Sequence, residues 1–153
     1  MTAPRRDIAL LVSGASGMLL PIRFAEIALR IAAVDTLHLV ISGPAFKVLA
    51  HEMGDEFKTS RQFVESLDVS DDLRGRIRPW SDADLAAPIS SGSRPLAGVA
   101  VLPCSSGTAG AIAQGISRGL VQRAADVALK QRWPLVLGIR EAPMSAILLE
   151  NLA

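Results

Sequence analysis

Short, continuous apolar runs alternate along this chain with apolar positions at helical spacing. Residues 8–12 (IALLV) are apolar throughout, the pattern of a strand buried on both faces of a parallel sheet. Residues 21–33 follow with helix formers and apolar positions at Ile22, Ala25, Ile27, Ala28 and Ile31. Pro21 suits a first helical turn. The spacing predicts further strands over 37–41 (LHLVI), 98–102 (GVAVL, ended by Pro103) and 135–138 (LVLG). Helices are predicted over 45–51, 108–114, 120–131 and 145–152. The stretch 55–93 holds most of the charge-rich and turn-forming residues and shows one moderately patterned helix, at 64–73. The β-α-β-α alternation implies a doubly wound parallel sheet with helices on both faces, a Rossmann-like three-layer α/β/α arrangement.

A length of 153 residues fits one domain, 1–153, with room for a real core. Half the residues are apolar and a fifth charged, which argues against disorder. Lys plus Arg number 16 and Asp plus Glu 15. This balance gives no support to a nucleic-acid coat or a polybasic membrane binder. Aromatics are 4% with no tyrosine, so stacking platforms for single strands are not expected. Cys104 is the one cysteine, so no internal disulfide or cysteine-rich metal site forms, and a reducing compartment is the simplest reading. The first apolar run enters a glycine turn without a cleavage spacer, and no run reaches the roughly 18 residues of a membrane helix. The expectation is a soluble, cytoplasmic protein that binds neither membrane nor nucleic acid, with no metal.

Ligands of an open parallel sheet sit beyond the carboxyl ends of its strands. The loops there are rich in glycine and hydroxyls. SGASG at 13–17 follows the first strand, where backbone N–H groups and a helix dipole can hold an anion. It lacks the G-x-G-x-x-G and P-loop patterns. Two readings stay open, a plain strand-to-helix turn and a phosphate or cofactor site. Ser42 closes the second strand, and a helix cap explains it as well as a ligand does. PCSSGT at 103–108 is a second candidate cradle. Cys104 has no histidine in a partnering motif, so a structural cysteine is favoured over a nucleophile. SSGS at 90–93 reads as a polar turn. Arg123, Asp126 and Lys130 are spaced to form a salt-bridged helix face. Arg140 and Glu141 follow the strand at 135–138 and project at the same sheet edge as these loops, where an arginine can pair a phosphate and a carboxylate can exchange protons.

Taken together, SGASG at 13–17, LVIS at 39–42, APISSGS at 87–93, LPCSSGT at 102–108 and GISRGLVQRAADVALKQRWPLVLGIREAPMS at 115–145 resemble the UbiX family of flavin prenyltransferases. The resemblance covers essentially the whole chain and is poorest over 53–85. It implies a flavodoxin-like fold, usually assembled as a dodecamer of trimers. It implies reduced FMN and dimethylallyl phosphate as substrates, joined without a metal at flavin N5 and C6. The product, prenylated FMN, serves a partner UbiD-type decarboxylase. Carried over by position, Gly14, Ala15, Ser16, Ser42, Ser105, Ser106, Gly107, Thr108 and Arg140 would hold FMN, with Arg123 near the phosphates. Ser16, Glu52, Lys130 and Glu141 would be catalytic, Glu141 as the acid-base group at the prenyl phosphate.

The chain departs from the family pattern in three places. Gly107 stands where the family's serine-methionine-lysine-threonine loop has lysine. Met18, Leu19 and Leu20 replace small residues. The family continues some forty residues further, with a tyrosine and a basic residue at the prenyl-phosphate site. The alternative this raises is a non-prenylating FMN-binding subunit of a decarboxylase or carboxylase system. A cysteine decarboxylase-type flavoprotein shares the fold but needs an early histidine and an asparagine-methionine clamp, which are not found: His38 lies within a strand, and Asn151 is the sole asparagine.

Overall fold

The computed structural model describes residues 6–153. Its centre is a five-stranded, wholly parallel sheet in the order β3-β2-β1-β4-β5. The strands are β1 (Asp7–Val12), β2 (Thr36–Ile41), β3 (Ile77–Ser81), β4 (Gly98–Cys104) and β5 (Leu135–Ile139). The helices are α1 (Leu19–Arg30), α2 (Gly43–Met53), α3 (Ser60–Glu65), α4 (Asp71–Arg74), α5 (Ser106–Ala113), α6 (Leu120–Gln131) and α7 (Ala146–Leu152).

Alternation along β1 explains the two cores. Leu10 and Val12 face α1 and α2, whereas Ala9 and Leu11 face α5 and α6. All four are fully buried. Each leucine buried this way contributes about 1.5–3 kcal/mol. Helix α6 lays Leu120, Val121, Ala124, Ala125 and Ala128 against the sheet. Its alanines let the helix approach closely. The edge strand β5 is covered less well, and Val136 is 58% exposed.

Two expectations are corrected. The helix predicted over 64–73 is instead α3 and α4, with a turn between them. The Ser66 hydroxyl donates to the Phe63 carbonyl at 2.7 Å, a local bond that competes with helix continuation. Secondly, Pro103 does not end its strand. β4 runs on to Cys104 through a register irregularity after Val101. The strand β3 was not foreseen.

His38 is buried in β2, and its Nδ1 accepts from the Trp80 indole N–H at 3.0 Å. Burial pushes its pKa down, against the opposing pull of Asp7. It is a core group whose partners are Trp80 and Asp7. Among the described residues no helix is long and apolar enough to cross a membrane.

Candidate active site

The order β3-β2-β1-β4-β5 reverses direction between β1 and β4, so the loops leaving these two strands diverge to opposite faces and leave a crevice. Ser13 ties the two loops together. Its hydroxyl donates to the Pro103 carbonyl at 2.9 Å and accepts from the Ser105 N–H at 2.8 Å. Ser13 is 2% exposed, so it serves the scaffold, not a ligand.

The loop after β1 is held from outside. A Cβ on Gly14 would lie 2.7 Å from Pro44 Cβ, so only glycine lets the start of α2 come this close. Gly17 has φ +100°, where a side chain is strained. The N–H groups of Gly17 and Met18 donate to the Glu52 carboxylate at 2.8–3.1 Å. Helix α1 has no capping side chain of its own. Glu52, reaching over from α2, supplies that cap and places a negative charge at the helix N-terminus. Its carboxylate is thus occupied by the loop it was expected to work beside.

The loop after β4 is held from within. The Ser105 hydroxyl accepts from the Thr108 N–H at 3.2 Å and donates to the Thr108 hydroxyl at 2.9 Å. It is the N-cap of α5. The N–H groups of Ser106 and Gly107, in the first helical turn, have no carbonyl of their own helix to meet. Ser42 caps α2 in the same way, accepting from the Ala45 N–H at 3.3 Å. Cys104 is buried, and desolvation pushes its thiol up to about 12. It is not a thiolate at neutral pH, as the structural reading requires.

Two cavities open between these loops. One, about 230 Å³, is lined by Gly14, Ala15, Ser16, Cys104, Ser105, Ser106, Arg140 and Glu141. There the Arg140 guanidinium donates to the Ser16 hydroxyl at 3.4 Å, bridging the ends of β5 and β1. The other, about 250 Å³, is lined by Gly14, Ser42, Ser105 and Thr108 together with Asp82, Arg118, Gly119 and Gln122. The two share Gly14 and Ser105, and together fall in the range of small-molecule sites, roughly 300–1,000 Å³. The donors are hydroxyls, helix N-termini and a guanidinium, which is the chemistry a phosphate needs.

Most of the sequence-derived residues therefore converge. Gly14, Ala15, Ser16, Ser42, Ser105, Ser106, Thr108, Arg140 and Glu141 line the two cavities, and Gly107 sits in the same helical turn. Arg123 and Lys130 do not join them within this chain. Arg123 donates to the Ser90 carbonyl at 3.0 Å and pairs with Asp126 at 3.1 Å. Lys130 stands at the far end of α6, about 15 Å beyond the crevice at 1.5 Å per residue. Sequence spacing shows which residues share a helix face but not which way that face turns. Asp82, Arg118 and Gln122 escaped sequence reasoning. Their one signal is Gly119, whose missing Cβ would lie 2.7 Å from the Asp82 carboxylate oxygens.

Comparison with known proteins gives this geometry a lineage. The family model for flavoproteins matches residues 2–151. The flavin prenyltransferase UbiX of Pseudomonas aeruginosa is 38% identical over 154 residues, covering 99% of this chain and 72% of that protein. The flavin prenyltransferase UbiX of Salmonella typhimurium is 43% identical over 134 residues, covering 87% of this chain and 64% of that one. The chain thus spans about two-thirds to three-quarters of these relatives. Among solved structures, AnUbiX (PadA1) in complex with FMN and dimethylallyl pyrophosphate superposes with a TM-score of 0.76 at 38% identity, covering 96% of this chain and 71% of that one. A dodecameric FMN-dependent UbiX-like decarboxylase from Escherichia coli O157:H7 gives 0.80 at 35% identity, over 95% and 73%. The chain belongs to the flavoprotein family, and flavin prenyltransferases UbiX are among its relatives there.

Proposed function

We propose that this protein is a flavin prenyltransferase, joining the dimethylallyl group of dimethylallyl phosphate to N5 and C6 of reduced FMN. The observation that carries the reading is the Arg140–Ser16 bridge across one cavity that Glu141 also lines. A cation, a hydroxyl and a carboxylate there adjoin a cradle of hydroxyls and helix N-termini.

FMN fits this donor set. Ser42, Ser105 and Thr108, with the amides of Gly14–Ser16 and of Ser106 and Gly107, would take its phosphate and polar chain. The flavin, once bound, supplies the nucleophilic nitrogen and carbon. Arg140 would hold positive charge where the C–O bond of the prenyl phosphate breaks, so that phosphate would leave with the bonding pair. As the new ring closes, the prenyl C=C bond would take up a proton at one carbon and bond C6 through the other, and the Glu141 carboxylate would accept the proton that C6 loses. Glu52 acts by holding the Gly17 and Met18 amides, which keeps Ser16 in place. In this reading Arg123 and Lys130, turned away from their own crevice, serve that of a neighbouring copy in a homo-oligomer, a dodecamer like that of the E. coli relative. The product, prenylated FMN, passes to a UbiD-type decarboxylase. The cytoplasm is the compartment that suits a lone reduced cysteine.

The test is mass spectrometry of flavin after incubation with reduced FMN and dimethylallyl phosphate. Glu141→Gln is expected to keep FMN bound while slowing transfer by about 10²–10⁴-fold, the usual loss for a general base. Equal rates in the two proteins would remove Glu141 from the mechanism. Flavin bound but never prenylated by the wild type would favour a flavin-binding subunit instead.

A further inference from the structure

Arg118 lies between α5 and α6, outside the residues assigned above. Three cavities meet at it. One is the 250 Å³ cavity with Gly14, Ser42, Ser105 and Thr108. The second, about 620 Å³, opens at the end of β3 beside Lys58 and Trp80. The third, about 640 Å³, lies along α5 beside Gly107 and Asn151.

The backbone that follows Arg118 is anchored. The Leu120 N–H donates to the Asp82 carbonyl at 2.7 Å, and the Val121 N–H to the Asp82 carboxylate at 2.9 Å. The Gly119 N–H donates to the Gln122 side chain at 3.0 Å. The guanidinium, by contrast, is uncommitted. Arg23, Arg30, Arg61, Arg74, Arg76 and Arg123 each pair with a carboxylate. Arg118 forms none of the ion pairs found among the described residues. Asp82, the one acidic group lining the 250 Å³ cavity, has its carboxylate engaged with the start of α6. A free cation thus lines the same cavity as Ser105 and Thr108.

We propose that Arg118 is the guanidinium that closes over the flavin 5′-phosphate, so that it sets the preference for FMN over riboflavin. The inference rests on the reading of this crevice as the flavin site and adds to it the residue that recognises the phosphate. A planar guanidinium takes two phosphate oxygens at once, which an ammonium cannot do. The hydroxyls and amides of the cradle are neutral, so Arg118 supplies the charge there.

The experiment is titration of wild type, Arg118→Ala and Arg118→Lys with FMN and, separately, with riboflavin. Arg118→Ala is expected to weaken FMN about tenfold or more while riboflavin affinity stays within about twofold, as removal of one charge-assisted contact predicts. Arg118→Lys should recover part of the loss. An FMN-to-riboflavin ratio unchanged in Arg118→Ala, with FMN still bound by the wild type, would overturn this role and leave the flavin site standing. A wild type that binds neither flavin would overturn both.

Discussion

The loops after β1 and β4 lie side by side in one crevice and carry similar residues, yet they are fixed in opposite ways. SGASG is clamped by distant parts of the chain: Pro44 against Gly14, Arg140 over Gly17, and Glu52 on the Gly17 and Met18 amides. SSGT is closed by its own side chains, through the Ser105–Thr108 pair. The first loop therefore depends on the tertiary fold, and its glycines are steric necessities. The second is a local motif, and its Gly107 is not one, because a Cβ there would meet nothing within 4 Å. Ser13, bonded to both Pro103 and Ser105, makes the two loops one unit.

This contrast can be broken by substitution, most severely in the clamped loop. Gly14→Val should cost about 1–3 kcal/mol in a denaturant titration, the range for overpacking a tight contact, because Pro44 must retreat. Full stability in that variant would mean the clamp is slack. Glu52→Gln keeps one carbonyl acceptor but loses the charge at the α1 N-terminus. A cost of about 1 kcal/mol is expected, in line with loss of a helix cap, accompanied by weaker flavin binding as Ser16 loosens. Normal affinity with lowered stability would show that Glu52 caps the helix without positioning the site. Ser105→Gly should be the mildest, a few tenths of a kcal/mol, since glycine is a tolerable cap. FMN affinity should still fall several-fold with the hydroxyl gone. A stability loss as large as that of Gly14→Val would erase the distinction between the loops.

The same distinction governs what could be read in the sequence. The strands β1, β2, β4 and β5 are apolar runs, and each betrays itself locally. β3 does not, because Arg78 and Pro79 interrupt its apolar pattern. It is an edge strand with β2 as its one partner, where a proline is tolerated. The short α3 and α4 leave too few residues for a helical period to show. In the site, the glycine and hydroxyl loops were legible because they follow strands. The wall made by Asp82, Arg118 and Gln122 was not, since it depends on the end of β3 docking against the start of α6. Arg123 and Lys130 show the converse failure. The i, i+3 pairing of Arg123 with Asp126 was legible, but its direction toward Ser90 was not.

The central claim is that the crevice between these loops performs prenyl transfer and not merely flavin storage. Mass spectrometry of the flavin released after anaerobic incubation with reduced FMN and dimethylallyl phosphate tests it most directly. The account predicts a flavin heavier by one five-carbon prenyl unit. Unmodified FMN, recovered from protein that binds it tightly, would contradict the account.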